Sequence, residues 1–337
     1  MANRKIAGFE QDNLTSLSVD WAVTGTVTVP STGRRATNCI RTIGSSKVAI
    51  GLPGHNTYHV GFAFLLESAT SNLQRIARMP TPSGGLALYR DANGHLSIAN
   101  EAATVLWTGG SIIAPGVWYY FEWSTYMHFT SGTTAVYING LGTPDAAVFT
   151  GATKYAAGYS DQINQFNWGE ASGSNQVNFR VGDFYANDGS GSAPDNARWG
   201  DTKVIARLAT GDGDLSQLTT ITPAAANHEE VDDNGAFDTG TYVYGESGVD
   251  LYTFPALDFL TSTIRASSIR VTALKEDASA RTVAGTTKSG GVTNTHTAVA
   301  LGTSYSVVSF LDAVDPDTGV AWTQEGLEAA QFGVTVA

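Results

Sequence analysis

The sequence predicts an all-β chain made of two consecutive β-sandwich domains. Three observations carry that expectation. Apolar and polar residues alternate in short runs, the period of a half-buried strand. Glycine is abundant, 37 of 337 residues, and falls between those runs where turns are needed. Helical periodicity is missing from every longer window, and only 323–331 has room for two helical turns.

The elements follow in order. Segments 23–29, 58–66, 86–90, 95–99, 117–124 and 134–138 read as strands. Ser83-Gly84-Gly85, Asp91-Ala92-Asn93-Gly94, Thr130-Ser131-Gly132 and Asn139-Gly140 separate them as turns. The stretch 86–99 is a hairpin signal, with Asp-Ala-Asn-Gly between two apolar runs. Residues 177–186 read as the last strand of a first domain, 1–200, and the Gly/Ser-rich 189–196 reads as a connector. A second domain, 201–337, carries strands at 203–208, 241–244, 249–254, 264–274, 281–286, 297–301, 304–311 and 331–336. The acidic stretch 209–240 reads as a long surface loop.

Charge is uneven. The net charge is −12, and no Lys or Arg lies between Arg207 and Arg265. The pI of about 4.8 argues against nucleic acid, because phosphate contacts dominate that affinity. No apolar run is long enough to span a bilayer. The opening residues lack the apolar stretch of a secretory signal, so synthesis in a cytoplasm is expected. Cys39 is the single cysteine, which leaves no intrachain disulfide and reads as a small buried hydrophobe. The near-neutral first domain is expected to carry more of any packed subunit contacts. The acidic second domain is expected to face solvent, cations or a basic partner.

Two resemblances add to this reading. Gly116-Val-Trp-Tyr-Tyr-Phe-Glu-Trp followed by Ala135-Val-Tyr-Ile-Asn-Gly resembles the laminin-G or concanavalin-A-like lectin jelly roll, over about residues 1–190. The wider arrangement resembles virion structural proteins of tailed bacteriophages. It comprises Val181-Gly-Asp-Phe-Tyr-Ala-Asn-Asp-Gly-Ser-Gly, Trp199-Gly-Asp-Thr-Lys-Val, His228-Glu-Glu-Val-Asp-Asp, Asp250-Leu-Tyr-Thr-Phe and the Asp315-Pro-Asp-Thr-Gly terminus. The resemblance implies a virion protein of the tail or a head decoration or fibre. It also implies partners among other virion proteins and copies of itself, as a homo-oligomer. A host-surface glycan-binding role is the alternative, and a glycan depolymerase the third reading.

Catalysis is not expected. A jelly-roll glycosidase needs two carboxylates on one face, and Glu122 has no acidic neighbour within four positions. It reads as an outward or hydrogen-bonded strand carboxylate. The pairs Glu229-Glu230 and Asp232-Asp233 read as solvated charge. His55 and His59 have helical zinc spacing but sit in loop and strand sequence with no third ligand nearby. Calcium is the ion the oxygen donors suit. Asp183, Asn187, Asp188, Ser190 and Asp195 surround a glycine-rich turn, although the same residues serve turns by themselves. Asp212 and Asp214 are a weaker pair. The aromatic residues Tyr155, Tyr159, Phe166, Trp168 and Trp123 are candidates for a glycan platform, for a subunit interface or for core.

Overall fold

Strands form where the sequence alternates, and the longest of them forms where it does not. The computed structural model describes residues 5–9, 21–36, 38–68, 72–82, 84–154, 158, 160–170, 177–191, 196–222, 225–233, 238–258 and 263–337. The chain divides into two compact units, Met1–Ala206 and Arg207–Ala337.

The first unit carries β1 (Lys5–Ala7), β2 (Ala22–Thr28), β3 (Ile40–His55), β4 (Thr57–Leu66), β5 (Gln74–Thr81), β6 (Gly84–Arg90) and β7 (His95–Asn100). It continues with β8 (Val105–Ile112), β9 (Trp118–Tyr126), β10 (Gly132–Ile138), β11 (Phe149–Gly151), β12 (Ile163–Gly169) and β13 (Phe179–Asp188). The hydrogen-bonded order is β11-β10-β9-β4-β13-β3-β12-β5-β6-β7-β8. This ladder folds back on itself. β4 and β12 are three strands apart, about 14 Å along a flat sheet. Yet Phe62 of β4 and Phe166 of β12 have ring centroids 5.7 Å apart. The result is a jelly-roll sandwich with a front sheet (β10, β9, β4, β13) and a back sheet (β12, β5, β6, β7, β8).

β3 passes between the two layers. Its first residues, Ile40 to Thr42, pair with β13, and Lys47 to His55 pair with β12. β2 follows it along both parts, with a register break between Thr24 and Thr26. Gly44 and Gly25 take left-handed φ of +59° and +83° at the corner. A Cβ on Gly25 would stand 2.4 Å from the Ser45 carbonyl oxygen, so the two backbones approach only because that residue is glycine. The sequence suggests no continuous strand here, because Gly44, Gly51, Pro53 and Gly54 read as breakers.

Alternation fills the core. Tyr58, Val60, Phe62, Phe64 and Leu66 point inward from β4, and Phe121 and Trp123 from β9. Trp21 stacks on Trp168 at 5.3 Å and 25°, and Phe184 meets Trp168 edge-on at 4.9 Å. Asn139 and Gly140 take positive φ, +53° and +73°, as the Asn-Gly signal predicts. Cys39 is fully buried.

The second unit is a smaller β-sandwich. It contains β14 (Gly211–Ser216), β15 (Thr219–Thr220), β16 (Val243–Tyr244), β17 (Gly248–Thr253), β18 (Ser267–Ala273), β19 (Thr282–Ser289) and β20 (Val292–Thr295). β21 (Val299–Ala300), β22 (Ser306–Asp312), helix α1 (Gln324–Ala329) and β23 (Gln331–Val336) complete it. The main sheet runs β14-β17-β23-β19-β20, and the pair β18-β22 lies against it. Phe310 of β22 covers Gly285 of β19, where a Cβ would come within 2.7 Å of its ring.

Two sequence expectations are corrected here. Residues 203–208 form no strand. The stretch 209–240 is not one loop but carries β14, β15 and a 3-10 turn at Asn227–Glu230. Its carboxylates are not all solvated. Glu230 is buried and accepts the Thr222 and Tyr242 amides at 3.2 Å each, while Glu229 accepts the Ala226 amide at 3.1 Å. Backbone amides that lack a ladder partner draw these carboxylates inward.

Candidate functional site

The structure moves three of the aromatic candidates into the core. Trp123, Phe166 and Trp168 have no exposed surface. Trp123 donates its indole N–H to Thr134 Oγ1 at 3.0 Å, and Phe166 packs edge-on against Trp168 at 5.2 Å. A ring enclosed on both faces offers nothing to a sugar, so these residues build the sandwich. The polar sequence around Phe166 and Trp168 hid β12, which is apolar on one face only. Tyr155 and Tyr159 lie outside the described residues.

The calcium candidates do not converge. Asp183 and Asp188 lie five positions apart on β13 and are held by different partners. Asp188 Oδ1 accepts the Ser190 amide at 2.8 Å and the Ser190 hydroxyl at 2.5 Å, which is turn chemistry. Asp183 is fully buried at φ +48° and accepts the Val204 amide at 3.0 Å. Burial pushes its carboxyl up to about 6, against the Val204 amide and the Arg34 charge that favour ionisation. Asp195 lies outside the described residues. Among the described residues no group of three or more His, Cys, Asp or Glu could hold a metal ion.

The outer face of the front sheet is covered by the chain itself. Tyr185 lies flat over Gly61, where a Cβ would fall 2.1 Å from its ring. Trp199 stacks on Tyr185 at 4.8 Å and 27°. Glu122 anchors the covering segment from below. Its Oε1 accepts the Tyr185 hydroxyl and the Gly200 amide, the latter at 2.8 Å, and its Oε2 meets Arg198 Nη1 at 2.9 Å. The Arg198 guanidinium sits 3.4 Å above the Tyr137 ring. Further along, Asp201 bridges Arg34 and Arg35. His59 beside Ser124 is pushed down to about 4, first by burial and then by the Arg198 charge, so its imidazole is neutral at pH 7. Residues 197–204 thus occupy this sheet as an extended strap, and Glu122 is committed to holding it.

The outer face of the back sheet carries a shallow groove. β6 and β7 pair without a break and β5 joins them with one register shift between Arg75 and Ala77, so side chains still fall in rows. One row runs Arg75, Tyr89, Ser97, Thr108, and the next runs Asn167, Arg78, Ala87, Ala99. Ala87, Gly85 and Ala103 leave a low floor, and Arg75, Tyr89, Asn100 and Glu101 stand around it. The groove holds about 160 Å³, less than a drug-sized pocket and suited to one ring of a larger molecule.

Its walls are held in place. Arg75 Nη2 donates to the Tyr89 hydroxyl at 3.0 Å, and Arg75 Nη1 pairs with Glu170 at 2.8 Å. Arg78 pairs with Glu101. Asn100 Oδ1 accepts the Ala102 and Thr104 amides, each at 3.1 Å, and fixes the loop at the groove's end. In the strands around it, Arg75 Nε, Glu170 Oε2 and Asn167 Oδ1 are buried without a hydrogen-bond partner, and all three are closed to solvent. Such atoms are costly to leave unpaired in a stable fold.

Sequence reasoning passed over this groove. β5 reads Gln-Arg-Ile-Ala-Arg-Met-Pro-Thr, with its alternation broken by a register shift between Arg75 and Ala77. The one available signal was Tyr89 opposite small residues in the 86–99 hairpin.

No protein-family model and no curated protein matches the chain. Solved structures with a similar fold include domain 4 of the extracellular arabinanase AbnA of Geobacillus stearothermophilus, in complex with arabinotriose. That match has 15% identity, covers 55% of this chain and 92% of that one, and has a TM-score of 0.40. The carbohydrate-binding module CBM66 of Bacillus subtilis matches at 11% identity over 49% of this chain and 94% of that one, with a TM-score of 0.32. The Trypanosoma rangeli sialidase, in complex with 2,3-difluorosialic acid, matches at 14% identity over 50% of this chain but 30% of its own, with a TM-score of 0.36. These are likenesses of fold.

Proposed function

We propose that this chain is a non-catalytic glycan-binding module whose site is the open groove on the back sheet. The observation that supports it is the groove itself, with the Tyr89 ring beside the low Ala87 floor and Arg75, Asn100 and Glu101 around it. Sugar recognition takes an aromatic edge and fixed polar groups in a shallow, rigid surface, and regular strands supply the rigidity. Glu122, the carboxylate on the front sheet, has both oxygens engaged by the strap, which supports the non-catalytic reading. The test is a glycan array probed with the full chain and with Ala87→Trp, which fills the groove floor. Binding by the wild type that the variant loses supports the proposal. Equal signals from both proteins, or none from the wild type, would refute it.

A second reading follows from the resemblance to phage virion proteins: copies of the chain assemble on a particle and present the groove to the host surface. Val105 and Ile112 on edge strand β8 favour it, being 57% and 61% exposed apolar side chains. Light scattering of the purified protein and of Ile112→Lys tests this. A multimer that the variant dissociates supports assembly through β8, and a monomeric wild type argues against it.

A further inference from the structure

We infer that the front sheet carries a second saccharide site, two rows along from the strap's anchor, and that it takes a sugar ring bearing a carboxylate or sulfate. This rests on the glycan-binding reading for the ligand's being a sugar, and on residues outside the groove for everything else. Three features meet there: a row of outward side chains, a surplus of positive charge and an aromatic face.

The row follows from strand register. Trp118 of β9 stands opposite Leu65 of β4, Leu65 opposite Arg180 of β13, and Arg180 opposite Arg41 of β3. Phe64, Phe179 and Ile40, one position along their strands, turn into the core, and Tyr119 packs against it. Alternation therefore turns the row outward. All four side chains of the row are partly exposed, whereas Gly61 and Glu122, two rows along, are covered. Neighbouring strands stand about 4.8 Å apart, so Trp118 and Arg180 are separated by about 10 Å.

The charge of the row is out of balance. Arg41 and Arg180 share one carboxylate. Glu67 Oε1 accepts Arg41 Nε at 2.6 Å and Arg180 Nε at 2.8 Å, and its Oε2 accepts Arg41 Nη2 at 2.8 Å. Arg180 Nη1 donates to Thr32 Oγ1 at 2.5 Å. Among the described residues neither guanidinium meets a second carboxylate, so two cations answer one anion. A guanidinium carries five N–H donors, and Arg41 Nη1 and Arg180 Nη2 still have theirs to give. Solvent reaches both side chains, which are 33% and 26% exposed, so an incoming group can meet them. Both forks converge on Glu67 Oε1, which brings their spare donors together. Paired forks suit the two oxygens of a carboxylate or sulfate. An anion here completes the charge balance.

Trp118 adds what a bare anion cannot use. A partly exposed indole on a regular strand presents an apolar face to the C–H face of a sugar ring, and Leu65 lies between it and Arg180. The whole row thus fits a ring that carries a charge. The chain's net charge of −12 repels polyanions from its surface at large, so an acidic saccharide is held only by local contacts such as these.

The experiment is calorimetric titration of the full-length protein, at low and at physiological salt. Polygalacturonate and alginate supply carboxylates, and heparin and dextran sulfate supply sulfates. Polyglutamate is the anion without a sugar. Arg180→Gln leaves Glu67 paired with Arg41, Trp118→Ala removes the ring, and Glu67→Gln leaves both arginines without a counter-ion. Melting curves confirm that each variant is folded. The expected result is binding of at least one acidic saccharide, weaker at higher salt. Arg180→Gln and Trp118→Ala should each weaken it at least about tenfold, the scale of one lost hydrogen bond to a charged group. Glu67→Gln should bind the same polymer more tightly than the wild type, a gain that a damaged fold would not give. Ala87→Trp, which fills the back-sheet groove, should change nothing. No binding of any acidic saccharide, or binding that Arg180→Gln and Glu67→Gln leave unchanged, would overturn this site and leave the groove to be judged by its own array. Acidic binding lost in Ala87→Trp and kept in Arg180→Gln would place the anion in the groove and overturn this site. Polyglutamate bound as tightly as the saccharides would overturn the saccharide class.

Discussion

Arg198 Nη1 stands 2.9 Å from Glu122 Oε2, and this ion pair joins the strap at residues 197–204 to the middle of the front sheet. The carboxylate is fully buried, and its other oxygen is taken by Tyr185 and the Gly200 amide. Removing Arg198 leaves the Glu122 charge buried without its counter-ion, so Arg198→Ala should lower unfolding stability by about 3–5 kcal/mol. Glu122→Ala should act on the same network, so the double variant should lose less than the sum of the two. Denaturant titrations of all three proteins check this. Additive losses would mean that the two side chains do not work as a pair.

Asp183 should give the fold a pH dependence of its own. Its carboxyl is raised to about 6 from an ordinary 3.8 by burial. The folded chain thus holds the proton more tightly than the unfolded chain. The stabilisation is full below about pH 3.8 and is lost as pH rises through about 6, a change on the order of 3 kcal/mol. Asp183→Asn mimics the protonated side chain and tolerates the left-handed φ of +48°. It should be more stable than the wild type at pH 8 and nearly equal to it at pH 4. The same stability difference at both pH values would remove Asp183 as the titrating group.

Trp168 separates core from ligand chemistry. It is enclosed by Trp21, Phe166 and Phe184. Trp168→Ala should cost about 3–5 kcal/mol of stability. Glycan affinity per folded molecule should stay at the wild-type value. Affinity lost in a variant that melts like the wild type would return Trp168 to the binding surface.

Cys39 should be inert in the native state. Burial pushes its thiol up to about 11, and the side chain has no exposed surface. Alkylation at pH 8 should be negligible before unfolding and complete in denaturant. Rapid labelling of native protein would show that the sandwich opens near β3.

Much of this fold was legible from alternation. β4, β6, β7, β9, β10 and β23 lie where the period of two places them, and the Asn139-Gly140 turn has the backbone its residues demand. β3 was not legible. Its path across the sandwich corner needs glycines, and in sequence glycines read as breaks. The site was less legible than the fold. Polar neighbours leave Trp168 and Phe166 open between a sugar platform, an interface and core, because a strand in a sandwich hides one face and shows the other. The groove arises from adjoining strands, and Arg75, Tyr89 and Glu170 become neighbours only after β5, β6 and β12 pair. No local motif records that pairing. Glu122 was read as an outward or hydrogen-bonded carboxylate. It is hydrogen-bonded, to a segment more than seventy positions away.

The central claim is tested most directly by locating a bound sugar. A crystal structure of the protein soaked with an oligosaccharide of the polymer that binds best in solution would do so. The expected result is a ring over the Ala87 floor, against Tyr89 and within reach of Arg75, Asn100 and Glu101. A sugar ordered elsewhere, such as on the strap over Tyr185, with the back-sheet groove empty, would contradict it.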